Sequence, residues 1–139
     1  MSKQVPLYQI EQTVYYDDTD CNGTVYHANY LKYMERARSE WLLNEFGREQ
    51  WQNWGVLFVV SHADVQFVKP AGLYDRLLVE VDIDLRGRCH VVFQHKIIDQ
   101  KSYEQYAVGH VKVVCLSPSG RVKRLPHEIN QVLAEVKES

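Results

Sequence analysis

Tyr15-Tyr16-Asp17-Asp18-Thr19-Asp20-Cys21-Asn22-Gly23-Thr24-Val25-Tyr26-His27-Ala28-Asn29-Tyr30 is the stretch at which the chain changes period. Before it, residues 8–17 (Tyr8, Ile10, Gln12, Val14, Tyr16) are β-prone and roughly alternate, which predicts a strand that ends in the acidic turn. After it, Tyr30, Met34, Ala37 and Trp41 recur at helical spacing and define one stripe, flanked by Leu31 and Leu42. Lys32, Glu35, Arg36 and Glu40 lie largely off that stripe. The spacing predicts a helix from Ala28 to about Phe46, with Gly47 as the residue that stops it and a short extra turn over 51–55.

Four strand patterns follow. Residues 56–68 run apolar and then alternate up to Lys69-Pro70, where proline interrupts a ladder. In 77–85, Leu77, Val79, Val81, Ile83 and Leu85 point one way, and Glu80, Asp82 and Asp84 the other. The turn Arg86-Gly87-Arg88 leads into 90–99, with Val91, Phe93, His95 and Ile97 on one face. The last strand, 103–116, places Ala107, Gly109, Val111, Val113 and Cys115 together and ends at Ser117-Pro118-Ser119-Gly120. Pro126 then opens a short helix over 127–137. A helix of nearly five turns with one apolar face needs a broad partner, and a curved antiparallel sheet supplies one. The order predicts an α+β fold with a sheet of about five strands. Such a sheet leaves an edge strand, so at least a dimer is expected.

The 139 residues carry no repeat, low-complexity tract or linker and suggest one domain over 1–139. Hydrophobic residues are 45% and charged residues 24%, in the ordinary globular range. A formal charge of −2 leaves no electrostatic footprint for nucleic acid. Cys21, Cys89 and Cys115 are odd in number and widely spaced, which argues against a disulfide framework or structural zinc and suits a reducing cytoplasm. Met1 to Pro6 is followed by no apolar h-region, and the longest apolar run, Val56 to Val60, is far short of a membrane span. A cytoplasmic protein without membrane insertion is the expectation.

The chemistry concentrates in the opening stretch. Asp20, beside a glycine and before a helix start, suits a nucleophile or general base toward an activated carbonyl. A turn aspartate that caps the chain is the commoner case, and Asp17 and Asp18 fit that reading too. Gly23 allows a tight turn and close approach of backbone to a ligand. The first N–H groups of the helix favour an oxygen that gains negative charge. His27 could orient a carbonyl or water, or simply pack. His62, His90, His95, His110 and His127 show no metal-ligand spacing and read as structural or surface residues. No serine-hydrolase elbow, H-E-x-x-H helix, P-loop or dinucleotide motif is present. Cys21, next to the Asp20 carboxylate, is a poor nucleophile candidate and reads as a small spacer. Arg86 and Arg88, flanking Gly87, could hold the phosphates of a nucleotide tail or merely solubilise a turn.

The run Tyr16-x-Asp18-Thr19-Asp20-x-x-Gly23-x-Val25-Tyr26-His27-Ala28-Asn29-Tyr30, followed by Glu35-Arg36-Ala37-Arg38, resembles the hotdog-fold acyl-CoA thioesterases. More narrowly, it is similar to the branch of 4-hydroxybenzoyl-CoA thioesterase and the Tol-Pal-associated acyl-CoA thioesterase. Phe58-Val59-Val60, Lys69-Pro70-Ala71, Val113-Val114-Cys115 and Leu125-Pro126 extend the likeness over about residues 10–130. The resemblance implies a long helix wrapped by an antiparallel sheet, and a homodimer or homotetramer with active sites at the dimer interface. It places the catalytic aspartate at Asp20, as nucleophile or base, and the family histidine at His27, with its backbone N–H polarising the carbonyl. Gly23, Tyr26, Arg86 and Arg88 fall at substrate-binding positions, the arginines near the coenzyme A tail. No metal or other cofactor is implied; acyl-CoA is the substrate, and an acyl carrier protein is a candidate partner. Cys21-Asn22 departs from the alanine-glycine pair common in the Tol-Pal-associated branch. The rival readings are a hotdog hydratase or dehydratase, and a non-catalytic acyl-CoA or acyl-carrier-protein binding module.

Overall fold

A computed structural model describes residues 5–138. The chain forms β1 (Tyr8–Thr13), a 3₁₀ turn (Tyr16–Asp18), α1 (His27–Trp54), β2 (Leu57–Phe67), β3 (Arg76–Arg86), β4 (His90–Asp99), β5 (Gln105–Leu116) and α2 (His127–Glu138). The five strands make one sheet in the order β1-β3-β4-β5-β2, antiparallel throughout. Strands β3, β4 and β5 follow one another as hairpins, while β2, first after the helix, lies at the edge beside β5.

The first strand is shorter than its alternation predicts. Val14 leaves the ladder to exchange backbone hydrogen bonds with Tyr74 and Asp75, and the chain then tightens into the 3₁₀ turn. Helix α1 buries Tyr30, Met34, Ala37 and Trp41, the stripe that spacing selects, and adds Tyr33 and Arg38. At Gly47 the backbone takes φ 87°, ψ 160°, which is not helical, so two helical segments meet there. That geometry is open to glycine and strained for other residues. The extra turn expected over 51–55 is the second of these segments, and it ends at Gly55 in the left-handed region. It brings the Trp54 ring to 5.0 Å from Phe46, and Trp51 to 5.4 Å from Phe58.

The core lies between α1 and the concave face of the sheet. Leu77, Val79 and Val81 of β3, Val91, Phe93, His95 and Ile97 of β4, and Ala107, Val111 and Cys115 of β5 are buried there, as their alternation predicts. Leu85 breaks the pattern at 59% exposed, because the pairing of β3 with β4 shifts between Ile83 and Leu85 and turns the alternation over. Strand β2 differs from the others. Leu57, Val59, Val60 and Phe67 are exposed along it. All three cysteines are free. Among the described residues no helix is long and apolar enough to cross a membrane.

Candidate active site

The acidic loop is built around Asp18 rather than Asp20. The Asp18 carboxylate is buried and accepts the Tyr15 N–H at 2.9 Å, closing the 3₁₀ turn. Its carbonyl oxygen accepts the Tyr26 N–H at 3.0 Å and the Asn29 side-chain amide at 2.8 Å, which ties the loop to the start of α1. Burial, then the Asp18 side chain beside it, push the Tyr33 phenol far above its usual range. Asp18 therefore has a structural job, in line with the capping reading, while Asp17 is exposed.

Asp20 opens a tight turn. Its N–H donates to the Thr24 carbonyl at 2.9 Å, and its own carbonyl accepts the Gly23 N–H at 3.0 Å. Gly23 sits at φ 77° in that turn. One carboxylate oxygen, Oδ1, accepts the Asn22 N–H at 2.9 Å. The other, Oδ2, meets no hydrogen-bond donor among the described residues, and the residue is half-buried. The loop is fastened to the segment before β3 through a Thr24–Gly72 bridge and the Val25 N–H on the Ala71 carbonyl. From the helix, the Tyr30 hydroxyl accepts the Ala71 N–H at 3.1 Å. Burial raises the Tyr30 phenol, and the charges of Asp75 and Asp20 add to the rise, outweighing that hydrogen bond.

Helix α1 starts without a side-chain cap: Tyr26 is the N-cap residue and its phenol makes no capping bond. Asn29 turns its N–H back to the Tyr26 carbonyl, so the N–H groups of His27 and Ala28 are left without acceptors among the described residues. Both residues are exposed. The His27 imidazole stands between the Tyr26 ring at 4.5 Å and Phe67, at the end of β2, at 6.3 Å. One short segment therefore carries two unpaired helix-start donors and a carboxylate with a free oxygen, groups that can stabilise an oxyanion and take up a proton.

Asp20, Gly23, Tyr26 and His27 thus share one loop. Arg86 and Arg88 do not join them within the chain. The loop is bound to residues 71–75, before β3, whereas the arginines sit past its other end, about 33 Å away at the rise of a strand. Arg86 donates to the Asn130 carbonyl of α2 at 3.2 Å, while Arg88 is exposed. Residues that the sequence reading passed over are Tyr30, as a loop anchor, and Arg38 with His95. Arg38 follows Met34 by four and precedes Trp41 by three, so helical spacing already places a charge on the buried stripe.

Residues 22–105 match the model of the thioesterase superfamily. The chain belongs to that family. It is 33% identical over 134 residues to the acyl-CoA thioester hydrolase YbgC of Escherichia coli O157:H7, covering 95% of this chain and 97% of the relative. It is 35% identical to the 1,4-dihydroxy-2-naphthoyl-CoA hydrolase of Thermosynechococcus vestitus, over 88% of this chain and 80% of the relative. Among solved structures, the 1,4-dihydroxy-2-naphthoyl-CoA thioesterase Slr0204 from Synechocystis superposes with a TM-score of 0.83 at 26% identity, covering 94% and 97% of the two chains. The long helix against a five-stranded antiparallel sheet is the hotdog fold of these thioesterases.

Proposed function

We propose that the chain hydrolyses an acyl-CoA thioester to a free carboxylic acid and coenzyme A. The observation that carries this reading is that one short segment holds both the Asp20 Oδ2, which accepts no hydrogen bond, and the unpaired N–H groups of His27 and Ala28 at the start of α1. The relatives named as acyl-CoA thioester hydrolases, matched over nearly the whole chain, supply the substrate class.

In the mechanism, the thioester carbonyl oxygen sits against the helix-start N–H groups, which stabilise the negative charge it gains on attack. Asp20 then acts by one of two routes. As general base, Oδ2 takes a proton from a water whose oxygen bonds to the carbonyl carbon. The C–S bond breaks, and the thiolate receives that proton. As nucleophile, Oδ2 itself attacks, the thiolate leaves, and water cleaves the resulting anhydride. Gly23 and Tyr26 border the acyl carbonyl, and the exposed His27 imidazole orients it or the attacking water. The coenzyme A tail is assigned to Arg88, with Arg86 beside it. Their separation from Asp20 in one chain favours a second copy supplying them.

Release of free thiol from a panel of acyl-CoAs tests this. Asp20→Asn is expected to lower kcat by at least roughly a hundredfold with the fold intact. Unchanged turnover in the variant, or no turnover on any acyl chain, sinks the mechanism.

A further inference from the structure

Away from the Asp20 loop, the second half of α1 helps to enclose a cavity of about 370 Å³. It falls in the range of small-ligand pockets, roughly 300–1,000 Å³. Its walls include Trp41, Trp51 and Trp54, which are all the tryptophans of the chain, together with Phe58 and Phe93. Arg38 stands on the same wall, 8% exposed. One of its N–H groups donates to His95 Nε2 at 3.0 Å, and its guanidinium lies 5.9 Å from the Phe93 ring centroid. Among the described residues no carboxylate pairs with it, and its remaining donors have no acceptor. Arg38 lines the cavity and none of its nitrogens is sealed away unpartnered, so its free donors stay within reach of a ligand there.

A buried guanidinium whose charge is met only at longer range, by Glu35, is costly, and an anion that fills the cavity lowers that cost. The fork of Arg matches a carboxylate in bidentate fashion. The aromatic walls call for an apolar body behind the charged head. Exposed Glu35 also borders the cavity and opposes a second negative charge. We propose that this cavity binds an apolar monocarboxylate, its head on the free donors of Arg38 and its body among Trp41, Trp51 and Phe58. Arg38 lies eleven residues beyond His27, about 16 Å along the helix, so the site is separate from the Asp20 loop of its own chain. The occupant is either a free acid or the distal carboxylate of an acyl group whose thioester lies at an Asp20 loop. Binding does not depend on the role assigned to Asp20.

Because every tryptophan lines the cavity, intrinsic fluorescence of the full chain reads its occupancy directly. Titration with decanoate is expected to give a saturable change, with a Kd at least roughly tenfold below that of decanamide. Arg38→Met should bring the two affinities together, and Arg38→Lys, which keeps the charge but loses the fork, should retain only part of the difference. Equal affinity for acid and amide, or no saturable change, overturns the proposal. That comparison is made on the unmodified protein and stands even if Arg38→Met fails to fold. Steady-state hydrolysis then separates the two sources. A lower KM for the mono-CoA thioester of decanedioic acid than for decanoyl-CoA, abolished in Arg38→Met, assigns the acyl group. Equal KM values with decanoate still bound assign the free acid.

Discussion

A guanidinium can only donate, so the 3.0 Å contact from Arg38 makes His95 Nε2 an acceptor and places the imidazole proton on Nδ1, 2.9 Å from the Glu80 carbonyl oxygen that receives it. Both ring nitrogens are thereby used, in the neutral form alone. Burial, reinforced by the Arg38 charge, brings the His95 pKa down to about 3. Burial likewise lowers Arg38 to about 10, so the guanidinium remains charged at neutral pH. A histidine held below its unfolded value leaves stability intact above about pH 6.5. As pH falls from there toward 3, the unfolded chain takes up a proton that the folded chain refuses, and stability drops by about 1.4 kcal/mol per unit. His95→Gln can accept from Arg38 and donate to Glu80 with no titration. Urea unfolding at pH 7.5 and 4.5 should therefore show an acid loss about 2–3 kcal/mol larger in the wild type than in the variant. Equal losses in the two proteins would refute a neutral buried imidazole. Sequence periodicity places His95 on the inner face of β4 beside Phe93, but that pattern marks only apolarity and says nothing of the tautomer or the charge opposite.

At the level of elements, the contact that seats the helix on the sheet is Met34 against Gly109. A Cβ on Gly109 would stand 2.6 Å from Met34 Sδ and 2.7 Å from its Cε. Met34 is fully buried, so its thioether has little room to retreat. Gly109→Ala should cost roughly 1–3 kcal/mol, seen as a lower urea midpoint at unchanged m. Met34→Ala in the same chain makes room for the new methyl, so the double variant should lose less than the sum of the single losses by about 0.5–3 kcal/mol. Strict additivity would show that helix and sheet do not meet at this point. The two stripes that touch here were readable in advance: Met34 belongs to the helical repeat and Gly109 to the alternation of β5. What period could not carry were the local breaks. The exit of Val14 from the ladder depends on Tyr74 and Asp75, distant in sequence, and the outward turn of Leu85 on a bulge against β4. In the site, the loop and the helix start were legible from residue types. The division of labour was not: residue type does not separate Asp18, which is buried and closes the 3₁₀ turn, from half-buried Asp20, and the resemblance alone singled out Asp20.

For the molecule as a whole, β2 is the unfinished part. It pairs with β5 on one side only, and its other backbone edge ends the sheet. Leu57, Val59, Val60 and Phe67 are 43–51% exposed along it, an apolar edge that isolated chains do not keep in water without aggregating or pairing. A second copy joining edge to edge would continue the sheet and cover these side chains at once, which is the symmetric solution open to one self-complementary surface. The same edge reaches the site: Phe67 stands 6.3 Å from the His27 ring and 5.5 Å from Tyr30. A partner across β2 would thus lie beside the Asp20 loop and carry its own Arg88 toward the coenzyme A tail. Val59 is neither in the Asp20 loop nor on the tryptophan-lined wall. Val59→Lys puts a charge on the edge and leaves both sites chemically complete. Sedimentation velocity should show the wild type as a dimer or tetramer and the variant as a monomer, with thiol release lost in step. A monomeric variant that keeps full turnover would place the whole active site within one chain, and would remove the argument for a partner's arginines.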